Sequence, residues 1–264
     1  MSKKTLISVV VPTFNERDNV GILCERVSRA LKGIPYEIIF VDDSKDDTPQ
    51  VIEEIMTIDP NVRMYHRENG TGLATAVIDG FGMATGKYIA VMDADLQHPP
   101  EILRSMYAAL AMEKCDFCIP SRFIKGGSDG GLNLYRKFVS GVARYIGKIA
   151  LSSIRKISDP TSGLFMFRRE CIKDADLRPI GWKIMIEVLA MAEYDSVCEI
   201  PYTFCQREHG ESKLSAKVTK EYLVQVWGLR KREIKHKNLF VKRVSPERLE
   251  KELERLEKAI DQNT

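Results

Sequence analysis

Asp93 and Asp95 are separated by one residue, follow the apolar run 88–92, and precede Gln97, His98 and two prolines. Two carboxylates so close together, with an amide carbonyl two residues on, form a hard-oxygen donor set. Such sets suit Mg2+ or Mn2+, which bridge to substrate phosphates rather than sit in an all-protein cage. Two other acidic stretches follow apolar runs: Glu16 lies just beyond 6–11, and Asp42-Asp43 follows 36–41. An Asp-x-Asp taken alone is weak evidence, because aspartate is common in loops; position in the fold has to decide. His98 serves either as a base or ligand beside the acids, or as part of the turn fixed by Pro99 and Pro100. Cys115 and Cys118 have the spacing of a redox or zinc pair, but no second pair lies near them, so the metal reading is set aside.

The elements around these residues alternate. Apolar runs at 6–11, 36–41, 62–66, 88–92 and 116–120 read as strands. Between them, Val20, Leu23, Val27, Ala30 and Leu31 recur at helical spacing, Thr48-Pro49 opens a second helix, and 72–84 and 100–112 supply two more. Strands apolar throughout and separated by single helices predict an α/β fold with a mostly parallel sheet covered on both faces. In such sheets ligands bind beyond the carboxyl ends of the strands. All three acidic stretches fall there. No glycine-rich loop follows the first strand, which removes the main support for a dinucleotide-binding fold.

After residue 120 the alternation stops. The segment 134–157 sets Leu134, Phe138, Val142, Tyr145, Ile146, Ile149 and Ile154 apart from Arg136, Lys137, Arg144, Lys148, Arg155 and Lys156. This predicts an amphipathic helix, suited either to an anionic membrane surface or to packing on the core. Runs at 163–171 and 197–208 read as later strands. From Gly228 the chain is basic up to Arg243, and Leu249, Leu253, Leu256 and Ile260 then recur at 4-3-4 spacing, which predicts a helical tail that docks or dimerises. These features divide the chain into a catalytic domain, 1–227, and a basic helical extension, 228–264.

The 264 residues, 44% of them hydrophobic, suffice for a full core. A net charge of +3 is too small to argue for nucleic acid. The first apolar run is too short for a signal peptide, and no segment supplies the roughly 20 apolar residues of a bilayer span. The expectation is a cytoplasmic protein with reduced thiols, soluble or peripheral on a membrane face.

The segments VVVPTFNERDN, EIIFVDDSKDDT, NGTGLATAVIDGFGMATGKYIAVMDADLQHPPE, SRF, SGLFMFRRE and REHGESKL occur in that order. Together they resemble the inverting family 2 glycosyltransferases, specifically the dolichol-phosphate (polyprenyl-phosphate) mannosyltransferase group, over about residues 5–227. The resemblance implies a GT-A-like fold and a nucleotide-base pocket of Pro12, Phe14 and Glu16, continued by Val41 and Asp43 toward the ribose. Phe14 stands where the family often has tyrosine, keeping the ring without its hydroxyl. Asp93, Ala94, Asp95 and Gln97 resemble the diphosphate site, with Asp93, Asp95 and Gln97 as the ligands of Mg2+ or Mn2+. Arg207 and Lys213 match a basic pair that grips the donor phosphates. Arg122, Arg136 and Ser140 match positions that meet the lipid phosphate; Arg136 also fits an ordinary surface cation of the helix.

The implied reaction moves a sugar from a nucleotide sugar, GDP-mannose before UDP-glucose, onto dolichyl or polyprenyl phosphate. A phosphate monoester has its second pKa at about 6 and is already nucleophilic at neutral pH, so no strong general base is needed. Cations are needed instead, for the leaving diphosphate and for the acceptor. A non-catalytic nucleotide-sugar-binding subunit and a nucleotidyltransferase are the competing classes. The expected partners are the nucleotide sugar, the polyprenyl phosphate, an anionic membrane surface and a membrane-anchoring protein.

Overall fold

A strand that is apolar on both faces has to be covered on both, and the first half of the chain meets that demand by alternation. The computed structural model describes residues 4–70, 72–131, 134–178, 180–205, 216–236 and 238–262, with the backbone alone at 134–139 and 216–219. Strand β1 (Ile7–Thr13), helix α1 (Arg17–Ala30), β2 (Tyr36–Asp42), α2 (Thr48–Ile58), β3 (Val62–His66), α3 (Leu73–Met83), β4 (Tyr88–Val91), α4 (Ile102–Glu113) and β5 (Phe117–Ser121) follow in the expected order. Every residue of β1, β4 and β5 is buried.

The second half adds α5 (Leu134–Ala150), β6 (Phe165–Arg168), a single 3-10 turn (Arg169–Ile172), α6 (Ile184–Met191), β7 (Ser196–Pro201), α7 (Ala216–Arg232), β8 (Phe240–Arg243) and α8 (Pro246–Asp261). The sheet runs β3-β2-β1-β4-β6-β5-β7-β8. Strand β6 is antiparallel to both β4 and β5, and the other pairings are parallel. Successive side chains leave a strand on opposite faces. Ile7, Val9 and Val11 accordingly join α1, α4 and α8 in one core, while Val10 joins α3, α6 and α7 in the other. Phe117, Phe165 and Phe167 stack across the antiparallel step at centroid distances of 5.1 and 5.8 Å, which fills the layer where the strand direction reverses.

Several elements depart from the sequence expectation. Helix α5 ends at Ala150 instead of reaching 157. The Glu233 carboxylate accepts the backbone N–H groups of Ser152 and Ser153, both at 3.1 Å, together with their hydroxyls. A distant residue thus takes the donors that another helical turn would use, and Leu151, Ile154 and Ile157 turn inward, wholly buried. The strand expected over 163–171 holds only at 165–168, and the one at 197–208 holds over 196–201, with 206–208 outside the described residues. Helix α6 was not expected: all eight of its residues are buried, leaving no polar face to set a period. Helix α7 crosses residue 228, and the basic stretch beyond it contains β8, which pairs with β7 at the sheet edge.

The tail helix α8 docks within the chain. Ser245 caps it by accepting from the Arg248 N–H, with Pro246 in the first turn. Leu249 and Leu256 are buried and Leu253 and Ile260 partly buried in the α4-side core. Glu113, at the end of α4, is held by Lys242 and by Arg248.

Candidate active site

The carboxyl ends of β1, β2 and β4 share one rim, because β1 lies between the other two and all three run the same way. The register sets Pro12 opposite Val41 and Thr13 opposite Asp42. Pro12 and Val41 are buried as the floor of this corner, and Phe14 stands 42% exposed above it. Hydrogen bonds tie the two loops together. The Asn15 N–H donates to Ser44 Oγ (2.7 Å), and Asn15 Oδ1 accepts from the Lys45 N–H (3.0 Å). Asn15 takes the left-handed conformation (φ 56°) that Asn tolerates better than most residues. Ser44 is itself fixed by the buried Asp42, whose other oxygen meets His66 Nδ1 at 2.7 Å. Glu16 stands at the N-cap of α1: its N–H donates to Thr48 Oγ1, and its carboxylate accepts from the Asn19 side-chain amide at 2.6 Å.

Asp43 is gripped by a residue the sequence reading missed. Arg67 donates through Nε to Oδ1 (2.7 Å) and through Nη2 to Oδ2 (2.6 Å), and also reaches Asp79 (2.9 Å) and Thr75. These acids hold the guanidinium firmly protonated against the opposing effect of burial. Residue 70 must be glycine here, because a Cβ would lie 2.0 Å from Asp43 Oδ1. The glycine-rich stretch after β3 is therefore the lid of the Asp43–Arg67 clamp. The signal for Arg67 was its place at the end of β3, on the same rim.

The Asp93–Gln97 turn is strained. Leu96, buried, has φ 58°, which a branched side chain rarely adopts. The turn lets Asp95 Oδ1 accept the Gln97 N–H at 3.1 Å, while the Gln97 carbonyl accepts the Cys205 N–H at 2.9 Å. Ala94 and Asp95 are buried, and the Asp93 side chain is one-third exposed. Gly163 leaves the space into which the Asp93 carboxylate fits; a Cβ there would lie 2.3 Å from Oδ2.

His98 is buried, stacks on Tyr202, and meets the Tyr202 hydroxyl through Nδ1 at 3.2 Å. Burial pulls its pKa down to about 4, so the ring is neutral at pH 7. Burial also pushes the Tyr202 phenol up, keeping it protonated. The His98 Nε2 lies 3.9 Å from Asp93. His98 is thus a packed wall beside Asp93.

Across the rim, the Arg122 side chain is 8% exposed and forked onto the buried Asp159 at 2.7 and 2.9 Å. Its fork is turned toward this partner, which the sequence reading did not foresee. A second missed residue is Lys183, just before α6, whose Nζ donates to the Thr161 carbonyl at 2.9 Å. Burial pulls its pKa down, and the Asp93 carboxylate opposes that pull. Ser140 is half-buried on α5, and Arg136 is on the same helix, with its side chain outside the described residues. Arg207 and Lys213 also lie outside them. The Cys115 thiol is pushed up by its hydrogen bond with Cys198 and by burial, which keeps it protonated.

Among the described residues no three His, Cys, Asp or Glu side chains gather as a metal cage. The Asp93, Asp95 and Gln97 donors are all oxygen, on one strained turn with space reserved for a carboxylate. That set fits a hard divalent ion whose shell substrate phosphates complete.

The glycosyl transferase family 2 profile matches residues 8–175. A dolichol-phosphate mannosyltransferase of Pyrococcus furiosus is 44% identical over 228 residues, 86% of this chain and 64% of that protein, so the chain spans just under two thirds of it. The dolichol-phosphate mannosyltransferase of Saccharomyces cerevisiae is 35% identical over 83% of this chain and 85% of its own length. Among solved structures, glucosyl-3-phosphoglycerate synthase from Mycobacterium tuberculosis, in complex with Mn2+, uridine diphosphate and phosphoglyceric acid, has the same fold (TM-score 0.65, 19% identity, covering 87% of this chain and 79% of that one). Mannosyl-3-phosphoglycerate synthase from Rubrobacter xylanophilus superposes with a TM-score of 0.60 at 18% identity, covering 86% and 74%. With the profile over most of its sheet and two such relatives, the chain belongs to glycosyl transferase family 2, in the group of the dolichol-phosphate mannosyltransferases.

Proposed function

We propose that this protein is an inverting glycosyltransferase that moves mannose from GDP-mannose to dolichyl or another polyprenyl phosphate, working peripherally on the cytoplasmic face of a membrane. The observation that carries the reading is the strained Asp93–Gln97 turn, set on the same rim as the tied Phe14–Glu16 and Asp43 loops. Phe14, Glu16 and Asp43 hold the base and ribose over the floor of Pro12 and Val41. Asp93, Ala94, Asp95 and Gln97 face the diphosphate. Asp93, Asp95 and Gln97 would hold Mg2+ or Mn2+, which would supply positive charge to the diphosphate. Arg207 and Lys213 add cations on the same phosphates.

An acceptor phosphate oxygen attacks the anomeric carbon as the bond to the diphosphate breaks, and the nucleoside diphosphate leaves with that electron pair. The acceptor arrives as a dianion, so no side chain has to remove a proton. That agrees with a turn whose neighbouring imidazole, His98, is neutral, stacked and hydrogen-bonded. Arg122, held by Asp159, with Arg136 and Ser140, supplies positive charge to the acceptor phosphate. No helix among the described residues is long and apolar enough to cross a membrane, and α5 is the surface we assign to lipid contact, with a membrane protein as a further anchor.

A thermal-shift panel of GDP-mannose, UDP-glucose and other donors with Mn2+, followed by transfer to a polyprenyl phosphate, tests the reading. GDP-mannose is expected to give the largest shift and to release GDP only when acceptor is present. A larger shift and turnover with UDP-glucose would replace the sugar assignment. Donor binding without turnover would favour a binding subunit, and pyrophosphate release a nucleotidyltransferase.

A further inference from the structure

Outside the donor rim the described surface has a second feature built for an anion. A groove of about 680 Å3 lies between α5, the 151–158 turn and β8, lined by Phe123, Arg144, Tyr145, Lys148, Arg155 and Arg243 among others. A second hollow of about 610 Å3 continues from it along Lys148, Arg155 and Arg243 to Lys156 and Phe240. The four cations of the first groove come from three separate elements, and no acidic side chain lines it among the described residues. The carboxylate beneath, Glu199, is fully buried; it accepts from the Ser158 N–H and hydroxyl at 2.6 Å and meets Arg243 Nε at 3.4 Å. Of the four cations, Arg243 pairs directly with this buried acid. Arg144 rests on the Phe123 ring at 3.8 Å, which holds its guanidinium over the groove without neutralising it. Burial, with the neighbouring Arg144 and Arg243 charges, pulls the Lys148 pKa down against the opposing Glu199 carboxylate.

The surroundings distinguish a lipid from a dissolved ion. On α5, Arg144 and Lys148 are four residues apart and face the groove. Val142, Tyr145 and Ile149, at spacings of three and four, form the adjacent ridge and are 42%, 69% and 60% exposed. A dissolved phosphate has no use for an apolar ridge beside its site, whereas a headgroup bound in the groove would lay its acyl chains along one. Ser158 lines the groove and the next residue, Asp159, holds Arg122, so the groove adjoins the acceptor side of the rim.

We infer that this groove binds the phosphate-bearing headgroup of an anionic phospholipid, with Val142, Tyr145 and Ile149 seated among the acyl chains. The inference deepens the membrane placement proposed above and is independent of the donor chemistry. Two variants of the full chain test it: Lys148→Ala/Arg155→Ala, which removes groove cations, and Tyr145→Ser/Ile149→Ser, which removes the ridge. Co-sedimentation is measured with phosphatidylcholine vesicles with and without phosphatidylglycerol, and inorganic phosphate is titrated separately.

The unaltered chain should bind the anionic vesicles selectively. Partitioning should fall about five-fold for each cation removed, and also on loss of the ridge. Phosphate binding lost in the cation variant, with vesicle binding unchanged, would assign the groove to a dissolved phosphate and overturn the lipid source. Equal binding to neutral and anionic vesicles would overturn the headgroup site. Transfer in detergent, measured on the same proteins, keeps the two readings apart: turnover without anionic-vesicle binding defeats this inference alone, and vesicle binding without turnover defeats the transferase reading alone. Thermal melting of each variant confirms that it is folded.

Discussion

The donor rim and the basic groove handle negative charge in opposite ways. At the donor rim the protein supplies acids and fixes each one: Asp42 by Ser44 and His66, Asp43 by Arg67, Asp95 by the Gln97 N–H. In the proposed reading this acidic rim receives a diphosphate with the help of an added metal ion, a removable charge placed where the leaving group would depart. At the groove the protein supplies the cations itself, on an open surface beside apolar side chains. The difference suits a water-soluble ligand that must react and a lipid that must be held.

The largest expected effect comes from removing the metal seat. Asp95→Ala should lower transfer about a thousand-fold while the thermal melt of the ligand-free protein stays close to that of the parent; metal-dependent activity in this variant would break the assignment. Next is the clamp. Arg67→Met strands the Asp43 carboxylate, whose side chain is only 14% exposed, and should cost about 3–5 kcal/mol in denaturant unfolding as well as donor affinity. The double variant Asp43→Asn/Arg67→Met should recover part of the stability but not the affinity. Equal recovery of both would make Asp43 a structural residue only.

Gly163→Ala sharpens the comparison further. It adds a methyl 2.3 Å from Asp93 Oδ2 and should weaken Mn2+ binding, read by metal titration of the donor-dependent thermal shift, about 10- to 100-fold. Binding to anionic vesicles should not change.

The smallest effect comes from two carboxylates outside the donor rim, Glu37 and Glu233. Burial opposes ionisation of Glu37 and Glu233, but hydrogen bonds from Ser8 and Thr85, with the Arg63 charge, hold Glu37 below the usual carboxylate range. Ser153 and Ser152 do the same for Glu233. Because both folded values are lowered, their stabilisation is complete above the unfolded value of about 4.3 and declines as pH falls through the folded values. Unfolding free energy measured from neutral pH down to pH 3 should fall mainly at the acid end. Glu37→Gln and Glu233→Gln should each flatten that decline.

The first 120 residues were legible because apolar runs dominate the strands there and apolar residues in the helices between them recur at helical spacing. That contrast vanishes further on: α6 is buried all round, Glu187 included, β8 is four residues on an edge, and the end of α5 is set by Glu233, 81 residues downstream of Ser152. The same distance problem hid parts of the site. Asp93 and Asp95 declare themselves by spacing and position, whereas Arg67, Asp159 and Lys183 matter only through partners that the fold brings to them. The strain at Leu96 was hidden too, because a leucine gives no sign of a positive φ.

The most direct test is formation of lipid-linked mannose from GDP-mannose and a polyprenyl phosphate in detergent with Mn2+, followed together with GDP release. The account predicts equimolar mannolipid and GDP, inverted at the anomeric carbon and abolished by chelating the metal. GDP release without mannolipid, or transfer that persists undiminished after chelation, would contradict it.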